Sequence, residues 1–238
     1  MTRSTYTQKT ANRDFFDAGA AILADKPATW TSFDVVNKIR NLSKAKKVGH
    51  CGTLDPFATG LLIVCTGKAT KFVDEFSNLS KEYIAEFEFG KTTDTLDVDG
   101  KVIDEKPVTD LNAGHLRSVL DTFIGEIEQI PPQYSAIKIG GVPLYKKARK
   151  GEKVDVQPRM VRIDALEIQL MEKNIVTVRV KCSKGTYIRA LARDVGEKMN
   201  CCAYVKNLRR TMIGEYHVAD GLTLDELKNW IQPIHATY

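Results

Sequence analysis

The segment KEYIAEFEF, Lys81–Phe89, alternates apolar and polar side chains with a period of two residues. One face would carry Tyr83, Ala85, Phe87 and Phe89, and the opposite face would carry the glutamates. This period is that of a β-strand with one face in a hydrophobic core.

Outward from this segment, the chain mixes further strand and helix signals. The same alternation recurs over Ile175–Cys182, and the apolar run Leu61–Thr66 is typical of a buried strand. Helical spacing occurs in the segments 31–42, 111–124 and 187–199, and Thr223 with Glu226 forms a capping box for a last helix. Because these elements follow no regular βαβα order, the sequence predicts an α+β fold with a mixed, largely antiparallel sheet.

The composition excludes several classes of protein. The chain has 238 residues, of which 43% are hydrophobic and 27% charged, so it is not a disordered chain. No segment approaches the roughly 18 uninterrupted apolar residues that would indicate a membrane span. Five cysteines, with Cys201 next to Cys202, are too few for a disulfide-stapled scaffold and favour free thiols in a reducing compartment. The N-terminus has no apolar signal-peptide region, so we expect a cytoplasmic protein with a polar leader over residues 1–18.

Positive charge is concentrated in three places, although the net charge is only +5. Basic residues cluster in the segments 35–50 and 144–153, and again at Lys206, Arg209 and Arg210. Clusters of this kind are typical of proteins that bind a polyanion such as RNA. The alternative is that each cluster is simply a solvated surface.

A glycine-rich loop, GHCGTLDPFATG at residues 49–60, precedes the buried strand. It holds a single carboxylate, Asp55, and Pro56 restricts the backbone of that aspartate to extended conformations. Reactive groups are often found on such loops, which the strand beside them holds in place. The alternative is that Asp-Pro only opens a turn.

Other chemistries have weaker signals. His50 could serve as a base, a metal ligand or a stacking group, but the cysteines near it lack zinc-site spacing. The segment 184–186, Lys-Gly-Thr, lacks the rest of a phosphate-binding loop. Arg189 could bind a carboxylate or phosphate or lie on the surface, and Tyr83 could be functional or a core tyrosine.

An ordered series of motifs resembles the tRNA pseudouridine synthase B family from about Ala20 to Trp230, nearly the whole chain. The series is highly specific, although any single motif would be weak. The motifs are DKP (25–27), TS (31–32), KVGH (47–50), GTLDP (52–56), ATGLL (58–62), KEY (81–83), TDT (93–95), QIPP (129–132), YSAIK (134–138), CSKGTYIR (182–189) and LRR (208–210).

The resemblance implies a pseudouridine synthase fold and isomerisation of uridine 55 in the T-loop of tRNA, without a cofactor or metal. It implies that Asp55 is the catalytic aspartate, as a nucleophile or a base, and that Arg189 is its ion-pair partner. Tyr83 would stack on the target base. His50 would fill the space beside the flipped nucleotide.

The remaining site residues also come from the resemblance. Lys26, Leu208 and Tyr187 would bind substrate in the pocket. The RNA backbone would be contacted by Lys138, Lys146, Lys147, Arg149, Lys150, Arg209 and Arg210. The expected partner is the T-arm of tRNA, with no membrane and no obligatory protein partner, and the chain is expected to be a monomer.

The resemblance also implies a domain organisation. Residues 19–238 would form the catalytic domain, with a basic RNA-gripping insertion near 130–155 and no full PUA domain. The family commonly has Thr where this chain has Cys51. The competing hypothesis is a tRNA-folding chaperone that binds RNA without catalysis.

Overall fold

The computed structural model describes residues 13–109, 111–152 and 154–231. Residues 1–12 of the expected leader and Lys153 lie outside the described residues. The last residues of the leader, Arg13–Ala18, form a short helix in which Phe16 is completely buried.

Seven helices and thirteen strands are present in the described residues. The helices are α1 (Arg13–Ala18), α2 (Ser32–Ser43), α3 (Val73–Asn78), α4 (Ala113–Asp121), α5 (Leu144–Ala148), α6 (Ile188–Lys198) and α7 (Leu224–Ile231). The strands are β1 (Ala21–Lys26), β2 (Val48–His50), β3 (Thr59–Thr66), β4 (Lys81–Phe89), β5 (Lys91–Thr93), β6 (Val102–Glu105), β7 (Gly125–Gln129), β8 (Lys138–Ile139), β9 (Val142–Pro143), β10 (Arg159–Glu172), β11 (Ile175–Cys182), β12 (Ala203–Ile213) and β13 (Tyr216–His217). Short 3-10 helices span Gly67–Phe72 and Val218–Asp220.

The chain forms two compact units, and strands β4 and β12 contribute residues to both. The first unit comprises Met1–Tyr83 and Arg209–Tyr238, and the second comprises Ile84–Leu208. None of the helices in the described residues has the length and apolar character needed to cross a membrane.

In the first unit, β3 is the central strand. It pairs antiparallel with β1 and β2, and parallel with the end of β12. Helices α1, α2 and α7 pack through Phe16, Ile39 and Leu227 on the face of β3 that carries Leu62 and Val64. The opposite face, with Leu61 and Ile63, packs in a second cluster that includes Cys51 and Cys65. The predicted burial of Leu61–Thr66 is confirmed, because both faces of the strand are covered.

In the second unit, β10 pairs antiparallel with both β11 and β7, and β4 lies between β12 and β11. The apolar face of β4 is buried as its alternation predicts, with Phe87 and Phe89 at most 1% exposed. Helices α4 and α6 contribute buried residues such as Leu116 and Leu191. The predicted α+β class with a largely antiparallel sheet is confirmed.

Two helix starts follow directly from sequence. Thr31 caps α2 by accepting from the backbone N–H of Asp34, and the Asp34 carboxylate accepts from the Thr31 N–H at 2.9 Å. Thr223 and Glu226 make the same reciprocal pair before α7. A capping box satisfies two amide groups that the helix itself cannot pair.

Gly60 allows the close pairing of β3 with β12. Its φ is +107°, and a Cβ there would lie 2.2 Å from the backbone oxygen of Arg210. We expect Gly60→Ala to lower the free energy of unfolding by about 3 kcal/mol or more, measured by urea denaturation. The control is Gly125→Ala, with φ of +102° but open space around its Cβ, which should cost about 1 kcal/mol. Equal losses in the two variants would contradict the steric argument.

Candidate active site

Asp55 lies in the loop between β2 and β3, which we call the Asp55 loop (residues 51–58). Its neighbour Leu54 is 3% exposed, whereas Asp55 itself is partly exposed. The carboxylate is therefore reachable from solvent while the preceding residue anchors the loop in the core.

Ser32, the first residue of α2, anchors Leu54. The Ser32 hydroxyl accepts from the Leu54 N–H at 2.9 Å and donates to the Leu54 carbonyl at 3.1 Å. Ser32 is 3% exposed, so these hydrogen bonds are shielded from water. Because this buried hydroxyl hydrogen-bonds both the N–H and the carbonyl of Leu54, it restricts the backbone immediately before the Asp55 carboxylate.

Lys26, at the end of β1, holds the residue after the carboxylate. Its side chain is fully buried, and its Nζ donates to the carbonyls of Pro27, Trp30 and Pro56 at 2.8, 2.7 and 3.2 Å. Burial lowers the pKa of Lys26 from 10.5 to about 8, and the Asp55 carboxylate opposes this shift. Sequence analysis placed Lys26 in the substrate pocket, and the structure shows that its ammonium group fastens the Asp55 loop.

The lowered pKa of Lys26 makes a testable contribution to stability. Between about pH 8 and 10.5 the unfolded chain holds a proton on Lys26 that the folded chain has lost. Stability therefore rises with pH across this window. We expect the free energy of unfolding of the wild type, relative to Lys26→Met, to rise by up to about 3 kcal/mol over this range in urea titrations. Parallel pH dependences for the two proteins would contradict the assignment.

Arg210 corrects one expectation from the sequence. It was grouped with residues that contact the RNA backbone, but it is 1% exposed. Its guanidinium donates to the carbonyls of Leu61, Thr53 and Gly52 at 2.7, 3.3 and 3.3 Å. A group so completely covered and hydrogen-bonded inside the first unit does not serve as a surface phosphate contact.

Arg209, the preceding residue, has a different setting. Its guanidinium makes a two-pronged contact with the Asp25 carboxylate at 2.7 and 3.1 Å, and 40% of its side chain is exposed. Alternation along β12 therefore sends one arginine outward and the next inward.

His50 and Cys51 precede the loop. Burial, and next the charge of Arg210, lower the pKa of His50, so its imidazole is neutral at neutral pH. Its Nδ1 is buried without a hydrogen-bond partner among the described residues. The Cys51 thiol lies 3.5 Å from that of Cys65 in the core. Cys51, which stands where the family commonly has Thr, is therefore a core residue.

Two further predicted pocket residues lie on strands. Tyr83 is on the apolar face of β4 and is 8% exposed, and Leu208, on β12, is 4% exposed. In the first unit, Lys26, His50, Asp55 and Arg210 lie in or next to the Asp55 loop, where Arg210 acts electrostatically on both Lys26 and His50.

Arg189, the second residue of α6, is 4% exposed, so the surface alternative is wrong. It forms a buried ion pair with Asp97, with Nη1 and Oδ2 3.1 Å apart. It also donates to the carbonyls of Thr95 and Tyr134 at 2.8 and 2.9 Å. These contacts hold the guanidinium in one orientation within the second unit.

Asp97 is a site residue that sequence reasoning missed. Its Oδ1 accepts from the Thr95 hydroxyl at 2.5 Å and from the Asp99 N–H at 3.1 Å. The adjacent TDT motif does not include Asp97, which is one of several acids in that segment. Only its burial distinguishes it, and burial is decided by the fold.

Tyr187 is the N-cap residue of α6, two residues before Arg189. The amide group of Gln129 clamps the Tyr187 backbone, accepting from its N–H at 2.8 Å and donating to its carbonyl at 3.1 Å. Gln129 is 1% exposed and was not predicted as a site residue, although it begins the QIPP motif.

The basic segment 138–150 is built on a small hairpin and α5. Leu144 is completely buried and its N–H donates to the carbonyl of Ile137 at 2.7 Å, which anchors the segment. Lys138, Lys146, Arg149 and Lys150 are exposed and Lys147 is half-buried. This arrangement presents a row of cations to solvent.

The residues described by the structure contain no group of three or more His, Cys, Asp or Glu side chains placed to hold a metal ion. All five cysteines are free thiols.

Comparison with known proteins identifies the family. The model described as "TruB family pseudouridylate synthase (N terminal domain)" matches residues 40–188. A second model, "tRNA pseudouridylate synthase B C-terminal domain", matches residues 189–236.

Individual proteins agree with this assignment. A tRNA pseudouridine synthase B of Phocaeicola vulgatus is 46% identical, with 91% of this chain and 94% of that protein covered. The protein of the same name from Parabacteroides distasonis is 44% identical, with 91% and 95% covered.

Solved structures show the same fold. A Cbf5-Nop10-Gar1 complex matches with a TM-score of 0.69 and 29% identity over 90% of this chain. An H/ACA RNP bound to a substrate RNA containing 2'-deoxyuridine matches with a TM-score of 0.68 and 27% identity. The chain spans about half of those two chains, 54% and 53%. By sequence and by fold, the chain belongs to the TruB family of pseudouridylate synthases.

Proposed function

We propose that the protein converts uridine 55 in the T-loop of tRNA to pseudouridine, with Asp55 as the catalytic carboxylate. The observation that carries this proposal is the fastening of the Asp55 loop. Ser32 holds Leu54 and Lys26 holds Pro56, which leaves the carboxylate between them partly exposed. Such preorganisation is what a reaction at one sugar carbon requires.

The reaction is an isomerisation. The bond from C1′ of the ribose to N1 of uracil breaks, the freed base turns, and C1′ bonds to C5. N1 then gains a proton and C5 loses one, so atoms and electrons balance without any other reactant. Asp55 acts either as the nucleophile at C1′ or as the base that removes the proton at C2′.

The target nucleotide must leave its stack before the carboxylate can reach it. Tyr83 supplies an aromatic surface to replace lost stacking, and the neutral His50 fills the space left behind without adding charge. The resemblance also assigns Leu208 and Tyr187 to substrate binding. The resemblance assigns Arg189 to the catalytic carboxylate as its ion-pair partner, and within the second unit its guanidinium pairs with Asp97.

The exposed cations of the segment 138–150 grip the T-arm. RNA helices are recognised mainly by their shape and phosphates, which suits Lys146, Lys147 and Arg149. Arg209 contributes a further phosphate contact from β12. In this proposal the protein acts as a cytoplasmic monomer, without a cofactor or a protein partner.

The test uses purified protein and a tRNA transcript labelled with tritium at C5 of uridine, with no added cofactor. We expect tritium release and one pseudouridine, mapped to position 55 of the RNA. A transcript with cytidine at that position is the control and should release none. Absence of release from the uridine transcript, or pseudouridine only elsewhere, would refute the proposal.

A further inference from the structure

Arg210 has an unusual environment for a charged side chain. It is 1% exposed and is the largest fully buried side chain among the described residues. It takes part in none of the ion pairs that those residues form. Removing a charge from water is costly unless the fold returns strong interactions, so this arginine needs an explanation.

The interactions it receives all come from backbone carbonyls around Asp55. The Nε–H donates to Leu61, three residues after the Asp55 loop ends, and the two Nη groups donate to Thr53 and Gly52, just before Asp55. One rigid, planar group therefore links the first residues of the Asp55 loop to the strand that follows the loop. A lysine has a single nitrogen and no fixed plane, so it cannot reproduce this geometry.

The backbone that carries Arg210 is itself fixed. Arg210 pairs with Gly60 in the parallel ladder of β12 and β3, where the absence of a Cβ allows close approach. The backbone of Arg210 is thus held next to β3, the strand that follows the loop, and its side chain starts from a fixed position close to the loop.

The charge of Arg210 also acts on the loop environment. Burial is the main cause of the lowered pKa of His50 and of Lys26, and the positive charge of Arg210 lowers both further.

Resting on the proposed role of Asp55, we propose that Arg210 is a positioning residue for catalysis. Its guanidinium fixes the backbone of Gly52 and Thr53 and thereby the direction in which Asp55 presents its carboxylate to the ribose. Arg210 does not touch the RNA.

The test compares Arg210→Lys, which keeps the charge but loses the planar fork, with Arg210→Gln, which loses both. Single-turnover rates are measured with saturating enzyme, and the Kd for tRNA is measured separately. We expect the rate per folded molecule to fall by about 100-fold or more in both variants, because small misplacements of a reacting group have effects of this size. The Kd should stay within a few-fold of the wild type.

A matched control separates positioning from general loss of stability. Val178→Ala truncates a buried residue of β11, 1% exposed, in the other unit. This variant should unfold more easily, yet keep its rate per folded molecule. Rates are normalised to the folded fraction, measured by circular dichroism. An unchanged rate in folded Arg210→Lys, or a weakened Kd with an unchanged rate, would overturn the proposal.

The wild-type enzyme supplies a measurement that does not depend on the variants folding. The Arg210 Nε–H should be protected from hydrogen exchange, and its NMR signal should keep its position when tRNA binds. A large shift of this signal on RNA binding would identify Arg210 as an RNA contact and overturn the proposal.

The two proposals fail in distinguishable ways. If the wild type forms no pseudouridine, the proposed function fails. If the wild type is active and Asp55→Asn is inactive while both Arg210 variants keep the wild-type rate, only the role of Arg210 fails.

Discussion

Asp55→Asn is expected to abolish pseudouridine formation, with a rate at least about 10⁴-fold below that of the wild type. The amide is nearly the same size as the carboxylate, but it neither attacks C1′ nor accepts the proton at C2′. The loop should keep its conformation, because Ser32 and Lys26 bind backbone groups of Leu54 and Pro56, which the substitution leaves unchanged. Tritium release from labelled tRNA measures the loss.

The matched control is Asp74→Asn, which makes the same chemical change at an exposed position of α3 in the same unit. It should leave the rate unchanged. The Kd for tRNA should change by no more than a few-fold in either variant. Measurable turnover by Asp55→Asn would remove Asp55 from the mechanism.

The same variant separates catalysis from the chaperone hypothesis. A protein that only refolds tRNA would keep its biological function with Asn at position 55. It would lose that function when Lys146, Lys147 and Arg149 are changed to Glu, because those cations, of which Lys147 is half-buried, would bind the phosphates. Under the enzyme proposal, both sets of changes reduce pseudouridine in cellular tRNA.

Arg189→Met is expected to lower the free energy of unfolding by about 3–5 kcal/mol, because it leaves Asp97 as a buried charge without its guanidinium. The two side chains are only 4% and 7% exposed, so water does not compensate for the lost partner. Two carbonyl groups, those of Thr95 and Tyr134, also lose a donor. Urea denaturation measures the effect, and pseudouridine formation should fall as well.

The control for this prediction lies on the same helix. Arg193 pairs with Asp194 at 2.7 Å, but 24% and 20% of these side chains are exposed. Arg193→Met should therefore cost about 1 kcal/mol or less. The double variant Arg189→Met with Asp97→Asn should lose less than the two single losses combined, since it leaves no unpaired charge. A loss below about 1 kcal/mol in Arg189→Met would show that the pair is not important for stability.

Much of the secondary structure could be predicted from the sequence, because it depends on residues that are close together along the chain. Alternation over Lys81–Phe89 and Ile175–Cys182 reflects which face of a strand is buried, and both segments are strands with that face in the core. The capping residues Thr31 and Thr223 form the expected hydrogen bonds with side chains three residues away. Such contacts depend on neighbours along the chain, so no tertiary information is needed to predict them.

The assignment of neighbouring residues to roles was less successful. Arg209 and Arg210 were grouped as RNA contacts, yet only Arg209 is exposed enough for that role. Sequence gives no direct measure of burial for a single charged residue, and arginine is usually exposed. Asp97 was overlooked for the same reason, because it differs from the nearby acids only in being enclosed with Arg189.

The amino-acid sequence alone therefore determined the family and the class of fold and predicted Asp55 as the catalytic carboxylate, because motifs and periodicity are properties of residue order. Tertiary structure decided which charged groups are buried and what they hold. Arg210, Lys26 and Asp97 each have at least one partner far along the chain, and only folding brings these groups together and removes the water between them. Exclusion of water makes these hydrogen bonds and ion pairs strong enough to hold the site in place.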